Sequence, residues 1–223
     1  MNVVRLFESR FVRLFDLVYA PGKHYYDASR REEKDLVATM SDGEFRSMMP
    51  DAVSCFVIVD DGVNAPALLL SREYRYPAGR YLLSVPAGLI DPEDEREEQP
   101  LFSAAKREIF EETGVRVTEA DGMSVINPCV FSTPGMTDES NALVCAVIRR
   151  DVRPELTHSG AVGSEKFDGF LLADEETARG MIASGADDRG IDYPLHTFAA
   201  LLYFLSGAWR SSPADASGRM AVR

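Results

Sequence analysis

The stretch PAGLIDPEDEREEQPLFSAAKREIFEETGV, residues 86–115, decides the architecture of the chain. It begins inside an apolar run, LLSVPAGLI (82–90), which Pro86 and Gly88 interrupt. Proline cannot donate to a ladder and glycine permits close backbone approach, so the run predicts a strand leading into a special loop. DPEDEREE (91–98) holds six acids and one Arg, the composition of a solvated loop. Pro100 suits the first helical position, where its missing N–H would be unpaired anyway. Leu101, Ala104, Ala105 and Ile109 then recur near helical spacing, and Gly114 is a natural terminator. Strand, loop and helix thus follow one another in one segment.

Working outward, VSCFVIV (53–59), the turn signal DDGVN (60–64) and ALLLSREYRY (67–76) read as a hairpin of buried strands. Further strands are predicted at VRV (115–117), MSVINPCVF (123–131), ALVCAVIR (142–149) and FDGFLL (167–172), and helices at 173–185 and 197–207. Strands dominate the middle and helices interrupt and close them, which predicts an α/β or α+β layering around a mixed sheet. Residues 1–50 are mixed and polar and read as an N-terminal extension; 51–208 form the main domain; the small, polar tail at 209–223 is expected to fray.

The chain of 223 residues is 45% apolar and 27% charged, an ordinary globular composition. Lys and Arg number 24 against 36 Asp and Glu, a net charge of −12. Proteins that grip nucleic acid without regard to sequence neutralise phosphates with Lys and Arg, so this balance argues against such a partner. It leaves room for an acidic enzyme that holds an anionic substrate through a divalent metal. Cys55, Cys129 and Cys145 are odd in number and in no C-x-x-C spacing, which argues against a disulfide framework or a zinc site. Arg5, Arg10 and Arg13 break up the apolar N-terminus, so neither a signal peptide nor a membrane partner is expected and a cytoplasmic location is the default.

The chemistry concentrates in Arg107-Glu108-Ile109-Phe110-Glu111-Glu112. Positions three and four apart share a helix face, so Glu108, Glu111 and Glu112 project together. Three carboxylates that close repel one another unless something positive sits among them, and Mg²⁺ or Mn²⁺ is the natural partner of clustered oxygen ligands. Arg107 stands on a neighbouring part of the same turn and could orient one of them.

Gly88 through Val115 resembles the Nudix box, G-x5-E-x7-R-E-U-x-E-E-x-G-U with U apolar. REYRYPAGRYLLSVPAGLID (72–91) and TPGMTDE (133–139) resemble the ADP-ribose and ADP-sugar pyrophosphatase branch of that superfamily. The resemblance implies an α/β/α sandwich and Mg²⁺- or Mn²⁺-dependent hydrolysis of a nucleoside diphosphate linked to another moiety, ADP-ribose or a similar sugar. Five residues more separate Gly88 from Arg107 than the pattern has. Counted back from Arg107, the first Glu of the box falls on Gln99, with Glu98 one place away.

By the same resemblance, Glu108 and Glu112 are metal ligands, Glu111 is a ligand or a partner, and the carbonyl of Ala87 completes the shell. Arg107 and Glu111 join the catalytic set. The general base is expected from the connection ahead of the strand at 167–172, with Glu165 preferred and Glu155 as rival. Arg75 and Glu139 match substrate-contacting positions; Arg72, like Arg75, offers phosphate or ribose contacts as a planar donor, Gly135 is a further substrate-binding candidate, and a homodimer built with the N-terminal strands is expected. Two other readings stay open: another nucleoside diphosphate substrate, and a non-catalytic ligand sensor of the same fold.

Overall fold

The structure, a computed structural model, describes residues 1–160, 163 and 165–211. The chain divides into two compact units. The first comprises residues 1–51 together with 129–141. In it, β1 (Asn2–Glu8), β2 (Arg13–Ala20) and β3 (Lys23–Ser29) form an antiparallel sheet in that order. Phe15 and Leu17 of β2 and Leu36 bury one face as a small core. β1 is largely exposed, with Val4, Leu6 and Phe7 open to solvent. A short helix, α1 (Asp42–Ser47), starts on a capping box in which Ser41 and Glu44 satisfy each other's backbone N–H groups. The extension is therefore a built three-stranded unit, more regular than the mixed, polar sequence of residues 1–50 suggested.

The second unit carries a seven-stranded mixed sheet. Its strands are β4 (Ala52–Asp60), β5 (Ala67–Arg75), β6 (Arg80–Ser84), β7 (Ala87–Leu89), β8 (Gly122–Phe131), β9 (Ser140–Arg149) and β10 (Phe167–Ala173). The order is β10-β5-β4-β9-β8, with β6 on β5 and β7 on β4. Three helices accompany it: α2 (Pro100–Thr113), α3 (Glu175–Ser184) and α4 (Leu195–Ser206). β4 is buried almost end to end, the mark of a strand covered on both faces. Its alternation shows how. Phe56 and Ile58 join the core under α3 and α4, with Leu68, Leu70, Leu83, Met181, Leu201 and Phe204. Cys55 points the other way, its thiol 3.9 Å from the Ala105 carbonyl of α2.

Two expectations fail. Residues 115–117 form no strand; the chain leaves α2 through Gly114, Val115 buries, and Arg116 lies 3.8 Å over the Phe110 ring. The tail does not fray from 209, because Trp209 is buried and its indole N–H donates to the Phe204 carbonyl at 3.1 Å. The rest of that tail, 212–223, lies outside the described residues.

Candidate active site

The site is assembled from the loop between β6 and β7 and from α2. Pro86 is fixed by its carbonyl, which accepts from the Cys55 N–H at 2.8 Å. Ala87 then donates its N–H to Glu112 Oε1 at 3.1 Å. Gly88 lies so close to α2 that a Cβ there would stand 2.1 Å from the Glu108 carboxyl carbon. Only glycine leaves that carboxylate its place.

Glu108 and Glu112 are buried, at 6% and 4% exposure, while Glu111 is half-buried. Oε2 of Glu112 has no hydrogen-bond partner. Burial pushes the Glu108 carboxyl up to about 7, against the opposing pull of Arg107. It pushes Glu112 well above the usual carboxylate range, helped by the fields of Glu73, Glu108 and Glu165. Ionised oxygens in such a place call for positive charge. Arg107 supplies part of it, with Nη1 at 2.6 Å from Glu108 and 3.3 Å from Glu111. With the guanidinium standing there, no three acidic, His or Cys side chains converge on one point among the described residues. Carboxylate oxygens, one of them orphaned, suit a hard cation such as Mg²⁺ or Mn²⁺, so the donor set fits the expected metal.

Arg107 has a third carboxylate, and it corrects the expected register of the box. Asp94 is buried and its Oδ2 accepts from Arg107 Nη2 at 2.8 Å and Nε at 3.3 Å. Gln99 stands at the start of α2, where its carbonyl accepts from the Phe102 and Ser103 N–H groups at 3.0 Å. Counting six positions forward from Gly88 reaches Asp94, so the extra residues follow it instead of preceding it. The acidic run is accordingly not a plain solvated loop, for one of its acids is turned inward.

The other expected residues divide. Arg72 is buried on β5, its Nη2 2.9 Å from Asp187 and its Nη1 on the Phe170 carbonyl. A guanidinium so fully engaged is a structural pair. Arg75 keeps 43% of its side chain exposed while reaching Glu73 at 2.7 Å. Glu165 is exposed, and its field acts on Glu73, Glu108 and Glu112. Glu155 is exposed as well. Gly135 and Glu139 belong to the first unit, where the Gly135 carbonyl accepts from the Tyr25 hydroxyl at 3.0 Å and Glu139 pairs with Arg30 at 3.0 Å. Sequence reasoning missed Glu73, a buried carboxylate whose own proton affinity is raised chiefly by burial. Its only signal was a charge at an inward position of the alternating run SREYR.

A carboxylate-bearing helix under a glycine loop on a mixed sheet defines a class. A model of the NUDIX domain matches residues 48–175, more than half of the chain, and the chain belongs to the Nudix family. The ADP-sugar pyrophosphatase of Mus musculus is 31% identical over 109 residues, covering 47% of this chain and 46% of that one. The ADP-ribose pyrophosphatase of Mycobacterium tuberculosis is 34% identical over 106 residues, again 47% and 46%. The match thus spans less than half the length of these curated relatives. The crystal structure of an ADP compounds hydrolase superposes with a TM-score of 0.53 at 21% identity, covering 94% of this chain and 91% of that one, a likeness of fold.

Proposed function

We propose that the protein hydrolyses the pyrophosphate bond of ADP-ribose or a related nucleoside diphosphate sugar, giving a nucleoside monophosphate and a sugar phosphate. The observation that carries this reading is the orphaned Oε2 of buried Glu112 beside Glu108, beneath the Ala87–Gly88 loop. Glu108, Glu112, Glu111 and the Ala87 carbonyl would hold Mg²⁺ or Mn²⁺. A cation bound there neutralises the pyrophosphate and acidifies the attacking water. Arg107, which would help orient these carboxylates, is itself held by Asp94 and the Leu89 carbonyl. Glu165 takes the proton of the water as its oxygen attacks phosphorus and the bridging P–O bond breaks. Arg75, with 43% of its side chain exposed, would meet a phosphate oxygen.

The names of the relatives support the substrate class. Gly135 and Glu139 are kept as further substrate contacts on the resemblance of TPGMTDE (133–139) alone. The exposed Val4, Leu6, Phe7 and Phe11 support a homodimer made through the N-terminal strands. Three free cysteines suit a reducing cytoplasm, and among the described residues no helix is long and apolar enough to cross a membrane.

A panel of nucleoside diphosphate derivatives with Mg²⁺ and Mn²⁺, scored for nucleoside monophosphate, tests the activity. Turnover of ADP-ribose to AMP is expected; no product from any member would leave a ligand sensor as the reading. Glu165→Gln is expected to lower turnover sharply with Glu155→Gln nearly silent. The reverse moves the base to Glu155.

A further inference from the structure

His158 takes no part in the chemistry above, yet it is held from two sides. An α-helix leaves its last four carbonyls without intrahelical partners. At the end of α2 the connection that follows β9 supplies them. The Thr157 N–H donates to the Thr113 carbonyl at 3.0 Å, and His158 Nδ1 lies 2.8 Å from the Glu112 carbonyl. A carbonyl only accepts, so Nδ1 carries the proton and donates. Gly160 then lies directly on the helix backbone: a Cβ there would come within 2.6 Å of the Glu111 carbonyl oxygen.

The other side is aromatic. The imidazole stacks on Phe170 at 3.8 Å and on Phe167 at 4.4 Å, with interplanar angles of 19° and 5°. Side chains three apart on a regular strand face opposite ways. Here the ladder of β10 on β5 shifts register between Phe167 and Phe170, and Gly169 adopts φ +78°. This bulge turns both rings to the same imidazole.

Lys166 supplies a second anchor. The Lys166 carbonyl accepts from the Tyr74 N–H at 2.8 Å, and its ammonium lies over the Tyr74 and Tyr81 rings at 5.3 and 5.8 Å. Glu165 is the neighbour of that anchor.

We propose that His158 is a positioning residue: by joining the end of α2 to the bulge of β10, it fixes Glu165, next to the start of β10, relative to the carboxylates of α2. The functional half of this inference rests on Glu165 as the base; the structural half does not. A displacement of about 1 Å at a reacting group costs up to about a hundredfold.

The test combines kinetics with proteolysis. His158→Ala is expected to lower kcat by roughly ten- to a hundredfold and to leave KM within about twofold. His158→Asn, whose amide can place a donor near the position of Nδ1, should recover most of that loss. The double variant with Glu165→Gln should be no slower than Glu165→Gln alone, because the two act through one group. Trypsin cleavage after Lys166, followed by mass spectrometry, should accelerate about tenfold in His158→Ala while other sites keep their rates. If His158→Ala fails to fold, Gly160→Ala, which presses the same segment off α2, carries the same four readouts. Unchanged cleavage after Lys166, or losses that multiply in the double variant, would overturn the inference. Faster cleavage combined with a silent Glu165→Gln would retain the anchor and remove the base assignment.

Discussion

Asp94 and Arg107, thirteen positions apart, are joined by two hydrogen bonds to one carboxylate oxygen, Nη2 at 2.8 Å and Nε at 3.3 Å. The same guanidinium reaches Glu108 and Glu111. Asp94 thereby sets where Arg107 stands, and Arg107 sets where the carboxylates stand. Asp94→Ala is expected to destabilise the fold by about 1–3 kcal/mol, less than a fully buried pair costs because Arg107 is 27% exposed. Turnover should fall with it, while Glu98→Ala and Gln99→Ala leave both unchanged. Urea denaturation and steady-state rates on the three variants check this; an effect at Gln99 equal to that at Asp94 would restore the register counted back from Arg107.

Glu108 titrates near 7 because burial outweighs Arg107. Below that value the carboxyl holds a proton that a cation must displace, so metal affinity is expected to rise with pH between about 6 and 8. Calorimetry of Mg²⁺ or Mn²⁺ binding in buffers of different ionisation enthalpy should show proton release at pH 6.5 that fades by pH 8.5. Glu108→Gln should reduce that release, the remainder coming from Glu112, whose carboxyl burial also raises. Both Glu108→Gln and Glu112→Gln should lower turnover at least about a hundredfold at saturating metal with the fold intact. Near-normal rates in both would remove α2 from the chemistry.

Gly88→Ala asks for space already filled, since the new methyl would meet the Glu108 carboxylate at 2.1 Å. The carboxylate must swing away, so the expected result is weaker metal binding and lost turnover with a change in stability of only about 1 kcal/mol. Gly43→Ala meets open space and serves as the silent control.

Asp27 in the first unit is buried, with Oδ2 lacking a hydrogen-bond partner, and burial together with Asp138 raises its carboxyl to about 6. An acid whose folded value lies above its unfolded value favours folding while protonated. That contribution is complete below about pH 4 and is lost as pH rises to about 6. Asp27→Asn should therefore be more stable than the parent above pH 6, by on the order of 1 kcal/mol, and no more stable near pH 4. Thermal melts across that range decide it; a difference independent of pH would refute the assignment.

The sequence made α2 legible because three signals coincided there: Pro100 at its start, Gly114 at its end and an apolar face through Ala105 and Ile109. The burial of β4 was equally plain in its apolar run, which only Ser54 interrupts. What stayed hidden depends on partners far along the chain. Arg72 looks like any surface cation until Asp187 is folded against it. Asp94 is one acid among six in its run, and nothing local marks it as the one that turns inward. The strand expected at 115–117 had the right residue types but forms no ladder, and β-propensity without a ladder partner builds nothing. His158 drew no attention because its neighbours on β10 converge on it only through a bulge.

Cys55 gives α2 a native reporter. Its thiol is wholly enclosed between β4 and α2, and that enclosure, with the acids beyond, raises its proton affinity well above that of a free thiol. No alkylating reagent can reach the sulfur while α2 lies on the sheet. The rate at which Cys55 is modified therefore counts the moments when the helix bearing Glu108 and Glu112 lifts away. Any ligand that clamps those carboxylates will slow that clock without touching the cysteine.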